Sequence, residues 1–98
     1  MDYQVIFKAS FLADLEPLLR GIPQDNPTAA RNLGNLMVKS AESLRFFPER
    51  HPRVRQRPQI RRFIIKNHYK VFYRVRPESR TVEVLRCWDG RREHDPQM

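Results

Sequence analysis

The residues that could do chemistry are mostly arginines. Arg61 and Arg62 stand side by side, and the next apolar run carries Lys70, Phe72 and Arg74 at alternate positions. Cations on either side of an aromatic ring suit phosphate contacts combined with stacking on a base. Successive side chains of a strand leave opposite faces, so only one of Arg61 and Arg62 can join a given surface, and the sequence leaves open which. Gly90-Arg91-Arg92-Glu93 adds a turn-permitting glycine followed by two more arginines, which could fold back over the same face. Other chemistries find little support. His51, His68 and His94 are scattered, and Cys87, the single cysteine, allows neither a zinc spacing nor an intramolecular disulfide. A metal or cofactor is therefore not expected. There is no Gly-rich phosphate loop, nucleophile elbow or carboxylate dyad, and Glu83 reads as a solvated strand residue.

The charge is local. The chain has 98 residues and a net charge of +8. Residues 1–44 carry four basic and five acidic groups, as do residues 77–98, whereas residues 45–76 carry eleven basic groups and only Glu49 as an acid. A field focused in this way attracts polyanions or an acidic protein, and salt should weaken it. The apolar fraction of 40% supports a modest core, and the length predicts one domain over residues 1–98. No apolar run approaches the length of a membrane span, and the N-terminal residues lack the pattern of a secretory signal, so a cytoplasmic protein without membrane contact is expected.

Which elements must position these groups follows from periodicity. Tyr3 to Lys8 reads as an opening strand with Tyr3, Val5 and Phe7 on one face. Leu12, Leu15, Leu19 and Ile22 then recur at helical spacing, with Ser10 or Asp14 able to cap them. Pro17 requires either a kink or a helix that starts near Asp14. Asn26-Pro27 starts a second helix of about 20 residues at 1.5 Å per residue, with Ala30, Leu33, Met37 and Leu44 on one stripe, Leu36 beside it, and Pro48 closing it. The proline-rich, basic segment from Pro48 to Gln59 reads as a loop. From Ile60 the period changes to two, which predicts strands over Ile60–Lys66, Tyr69–Val75 and Thr81–Trp88 with short antiparallel connections. In the second of these, Tyr69, Val71, Tyr73 and Val75 look inward, leaving Lys70, Phe72 and Arg74 on a basic outer face. The expected fold class is α+β with element order β-α-α-β-β-β: a helical hairpin on one face of a small, mainly antiparallel sheet, the other face open for binding. Leu15, Leu19, Leu33, Met37, Val71, Tyr73 and Val84 should share one core.

The Asn26-Pro27-x-Ala29-Ala30 helix start, Ser43-Leu44-x-x-Phe47-Pro48, Ile60-Arg61-Arg62-Phe63-Ile64-Ile65-Lys66, Tyr69-x-Val71-x-Tyr73-x-Val75, Val82-x-Val84-Leu85-Arg86 and the Gly90-Arg91-Arg92-Glu93 turn come in an order that resembles the RelE/ParE toxin superfamily over nearly the whole chain. The resemblance implies the toxin of a bacterial type II toxin–antitoxin module, of the kind often labelled plasmid stabilisation proteins. It also implies one of two activities: ribosome-dependent mRNA cleavage, as in RelE-like members, or poisoning of DNA gyrase, as in ParE-like ones. Carried over from the RelE pattern, Arg61, Lys70 and Arg92 fall on basic site positions. Phe63 stands where that pattern has a second cation, and no tyrosine precedes Met98 in the place that many ribonuclease members use. RNA cleavage needs a group to activate the 2′-hydroxyl and another to protonate the leaving oxygen, for which arginine, with a pKa above about 12, is a poor base.

The resulting expectation is a ParE-like gyrase inhibitor that acts by binding, with no catalytic residue assigned. Arg61, Lys70, Arg86, Trp88, Arg91 and Arg92 are its candidate target or phosphate contacts. An acidic antitoxin is the expected partner, meeting Leu12, Leu15, Leu19, Leu36, Phe72 and Arg74, with oligomers forming through that complex. The alternatives are a RelE-like endoribonuclease acting with the ribosome on mRNA, and a stand-alone basic nucleic-acid-binding module.

Overall fold

The computed structural model describes residues 2–91 and Pro96. Strand β1 (Gln4–Phe7) leads into helices α1 (Ala9–Arg20) and α2 (Pro27–Glu42), and strands β2 (Arg53–Val54), β3 (Arg57–Ile65), β4 (Tyr69–Arg76) and β5 (Thr81–Asp89) complete the chain. The sheet order is β1-β5-β4-β3-β2, with β1 parallel to β5 and the other pairs antiparallel. The α+β arrangement expected from the periodicity is present, with one strand more than the sequence suggested.

The helices and one sheet face enclose the core. Phe11, Leu33, Met37, Ala41 and Leu44 pack with Phe63, Ile65, Val71, Tyr73, Val82, Val84 and Cys87, while Leu15 and Leu19 border this cluster half-buried. Facing therefore follows from Phe63 and Ile65. Arg61 lies on the helix-bearing side, and Arg62 and Ile64 project from the open side.

Three local readings need correction. Helix α1 does not wait until Asp14: it runs from Ala9 to Arg20 with Pro17, which is exposed, inside it. Packing against the sheet outweighs the loss of one amide donor. Neither Ser10 nor Asp14 caps it, because both side chains are used on β5 instead. Helix α2 starts as expected, with Asn26 Oδ1 accepting from Ala29 N, but ends at Glu42 and passes through short 3-10 turns at Ser43–Arg45 and Pro48–Arg50. The basic segment is not all loop. It contains β2 and the first residues of β3, held by Arg62 N donating to Pro52 O at 3.0 Å.

Two side chains fasten the turn after α2 to the sheet. The Tyr73 hydroxyl donates to Pro48 O at 2.5 Å, and Arg61 Nη1 donates to Glu49 O at 3.1 Å and to His51 O at 2.8 Å. The His51 ring stacks on Phe63 with centroids 5.1 Å apart, and burial with nearby Arg50 lowers its pKa. At the far end of the sheet Gly90 is required by close approach rather than by an unusual backbone angle. A Cβ there would meet His68 O at 2.6 Å.

Gly90→Ala should therefore destabilise the fold by about 1–3 kcal/mol, read from the urea midpoint. Alkali should act through the core. Burial pushes the Tyr73 phenol and the Cys87 thiol each up to about 12. For an acid whose pKa rises on folding, the stabilisation is complete below its unfolded value and is lost as pH climbs to the folded one. Urea midpoints should thus fall between about pH 9 and pH 12. Tyr73→Phe should remove the phenol's share of that slope while costing about 1–3 kcal/mol at neutral pH, because Pro48 O loses its donor.

Candidate functional site

Strand β5 positions the site. Its partner β1 covers only Thr81 to Val84, and beyond that point α1 takes over the strand's outer edge. Ser10 Oγ donates to Leu85 O at 2.6 Å, and Asp14 Oδ2 accepts from Cys87 N at 3.2 Å. Asp14 also receives Arg86, whose Nε and Nη2 donate to its two oxygens at 2.5 and 3.0 Å. A bulge makes this possible: Phe72 pairs with Arg86 and Tyr73 with Val84, so Leu85 stands unopposed and both Val84 and Cys87 reach the core.

On the open face the register aligns Arg62, Phe72 and Arg86 across β3, β4 and β5, and beside them Ile64, Lys70 and Trp88. Arg74 follows next to Glu83. Phe72 is the correction here. It belongs to this face by register yet is fully buried, so it offers no ring for stacking and no surface for a partner. Its neighbours along and across the strands are Lys70, Arg74, Arg62 and Arg86, whose long apolar stems can cover a ring. Glu83 is likewise not a plain solvated residue. It accepts from Arg74 Nη2 at 2.8 Å and Arg76 Nε at 3.0 Å and lies 3.9 Å from Lys8 Nζ, and hydrogen bonding from Arg74 above all lowers its pKa.

Where α1 ends against β5 a cleft of about 420 Å³ opens, lined by Asp14, Pro17, Leu18, Gly21, Ile22, Tyr69, Cys87, Trp88, Asp89 and Arg91. The lining combines apolar side chains with Asp14 and the Asp89–Arg91 pair. Arg91 Nη2 donates to Asp89 Oδ2 at 2.7 Å, and its guanidinium lies 5.9 Å from the Tyr69 ring centroid. That hydrogen bonding holds the Asp89 carboxyl down at about 2.

Of the sequence candidates, Trp88 and Arg91 line this cleft and Lys70 sits across the strands from Trp88. Arg86 borders it through Asp14. Arg61 is elsewhere, on the helix-bearing face, with its guanidinium bound to loop carbonyls. Arg92 lies outside the described residues. On the hairpin, Leu12 and Leu36 are exposed, whereas Leu15 and Leu19 are half-buried against the core. Sequence reasoning missed the role of Asp14 and the cleft wall of Leu18 and Ile22. One signal was available: Ser10 and Asp14 lie one helical turn apart and so share a face.

Comparison with known proteins decides the family. The family model for the ParE toxin of the parDE type II toxin–antitoxin system matches residues 5–94. The chain belongs to the ParE toxin family. Among solved structures it is similar to the Pseudomonas aeruginosa chromosomal ParDE system, with 16% identity, a TM-score of 0.73 and coverage of 89% of this chain and 95% of that one. The Mycobacterium tuberculosis RelBE2 toxin–antitoxin complex matches at 24% identity and TM-score 0.63, covering 91% and 99%. Isolated Escherichia coli RelE matches at 21% identity and TM-score 0.53, covering 93% and 87%. These likenesses fix the fold. A search of curated protein sequences finds no match. No helix among the described residues is long and apolar enough to cross a membrane.

Asp14→Ala should detach α1 from the edge of β5, since it removes the acceptor of Cys87 N and of Arg86 together. A loss of about 1–3 kcal/mol is expected, with the Trp88 fluorescence shifted because that residue lines the same cleft. Acid should reveal the carboxylates. Asp89 and Glu83 are both lowered, so their stabilisation is present above about pH 4 and is lost as pH falls through the folded values, toward about 2 for Asp89. Asp89→Asn should flatten that acid limb of the stability–pH curve.

Proposed function

We propose that this type II toxin works by binding and not by bond cleavage, that its target is DNA gyrase, and that an acidic cognate antitoxin neutralises it. The observation that carries this reading is that the carboxylates around the site are held by arginines and a backbone amide: Asp14 by Arg86 and Cys87 N, Asp89 by Arg91, and Glu83 by Arg74 and Arg76. The thiol of Cys87 is raised to about 12, the carboxyl of Asp89 is lowered to about 2 and Glu83 is lowered as well. Groups so far from neutrality hold charge or hydrogen bonds but exchange protons poorly at pH 7, as do the arginines around them. The face is suited to holding an anionic protein–DNA surface. Lys70, Arg86, Trp88 and Arg91 are the proposed target contacts, and the ParE family match supports gyrase over the ribosome.

The antitoxin is proposed to lie along the hairpin, where Leu12 and Leu36 are exposed, and to bring carboxylates toward the sheet near Arg74. The solved relatives that include toxin–antitoxin complexes support such a partner.

Induced expression should arrest growth, accumulate gyrase cleavage complexes and leave mRNA uncut, with co-expression of the adjacent open reading frame restoring growth. Trp88→Ala together with Arg91→Ala should weaken gyrase inhibition about ten-fold or more, as expected for loss of anchor contacts. Ribosome-dependent mRNA cleavage with gyrase unaffected would replace this reading with the RelE-like one.

A further inference from the structure

The turn between α2 and β2 shows a second arrangement that the toxin reading does not use. Phe47 is 85% exposed and adopts a left-handed backbone conformation with φ of 47°. A bulky residue is strained there. The surroundings hold it in place. Arg50 donates to the carbonyls of Ser43, Phe46 and Phe47 and to Ser43 Oγ, Tyr73 grips Pro48 O, and Arg61 grips Glu49 O and His51 O. Phe46, the next ring, is 47% exposed, with the Arg45 guanidinium 4.8 Å from its centroid. A strained, fully braced segment that presents an apolar ring to water points to a contact surface.

Immediately beside it the sheet splits. The β3–β4 pairing ends at Arg61 opposite Tyr73, and where the earlier part of β3 diverges from β4 a cleft of about 300 Å³ opens. Glu49, two residues from Phe47, lines it, as do Arg53, Arg61, Arg74, Arg76 and Glu78. Arg53, Arg55 and Arg57 are exposed, and among the described residues no carboxylate lies within ion-pair distance of them.

We propose that this corner is a binding site for single-stranded nucleic acid, in which a base stacks on Phe47 and the adjoining phosphates meet Arg53 in the cleft and the exposed Arg55 and Arg57, the other cleft arginines being held by Glu83 and by loop carbonyls. Two features favour this occupant over a protein. The exposed rings lie next to Arg45 and Arg50, and the other exposed large apolar side chains, Ile6, Leu12, Leu36 and Ile64, belong to other elements. A base needs only one ring face, whereas a protein anchor needs a surrounding apolar seal. The local charge is also arginine-rich, and guanidinium groups match phosphate oxygens in paired geometry. This inference does not depend on gyrase being the target.

The test is fluorescence anisotropy of the full chain with labelled dT and rU oligonucleotides and with a duplex of equal length. Single strands should bind more tightly than the duplex, and Phe47→Ser should weaken them about ten-fold, within the usual worth of one stacked base. Phe47→Trp should retain binding. Arg53→Gln should lower the slope of log affinity against log salt by about one. Phe47→Asn serves as the folding control: asparagine accepts the left-handed conformation, so its thermal midpoint should equal or exceed that of the parent while binding is lost. Equal affinity for duplex and single strand, or affinity unchanged in Phe47→Ser, would overturn the proposal. So would a Phe47→Ser chain that loses its co-expressed antitoxin but keeps oligonucleotide binding. Either order of preference between dT and rU upholds the site.

Discussion

The docking of α1 on the uncovered edge of β5 is the constraint on which the rest of the structure depends. A strand edge carries backbone donors and acceptors that must find partners, and β1 is too short to serve all of them. Ser10 and Asp14 supply the missing groups from a helix. Once α1 is fixed there, α2 can lie over the same sheet face. The approach of the two helices is close at Gly34, where a Cβ would come within 3.3 Å of Leu19 Cδ1. The opposite sheet face is left without a helix among the described residues, and the gap beyond the end of α1 becomes the cleft beside Trp88.

The same contact sets the electrostatics. Asp14 sits in partly buried surroundings where an unpartnered carboxylate would be costly, and Arg86 with the Cys87 amide satisfies it. The molecule repeats this device at Glu83 with Arg74 and Arg76, and at Asp89 with Arg91. Several of its arginines are thus structural before they are functional. The carboxylates that partner them come largely from the chain ends, while the basic middle segment keeps a surplus that reaches solvent around β2 and the start of β3.

That division explains two kinds of arginine in one short chain. Arg50 and Arg61 spend their donors on backbone carbonyls and make a rigid turn out of residues that have little apolar area to bury. Arg53, Arg55 and Arg57 lie outside that bracing and give the surface its field. A charge count along the sequence records both kinds alike, although only the second remains available to an outside anion.

The sequence by itself determined the element types, the two helices, the inward face of β4 and the family pattern, because these depend on local periodicity, caps and turn residues that neighbouring positions carry. Asn26-Pro27 opened α2 where expected, and Val71, Tyr73 and Val84 entered the core. Tertiary structure alone decided the rest. Pro17 stayed within α1 because packing outweighed its missing donor, and β2 formed because Pro52 found Arg62 across a pairing that no local pattern encodes. Arg61 was turned toward the helices by the burial of Phe63 and Ile65, and Phe72 was buried on a face whose alternation marked it as open. In each of these cases the outcome depends on a partner distant in sequence, and the periodicity of one strand cannot say which of its faces another element will cover.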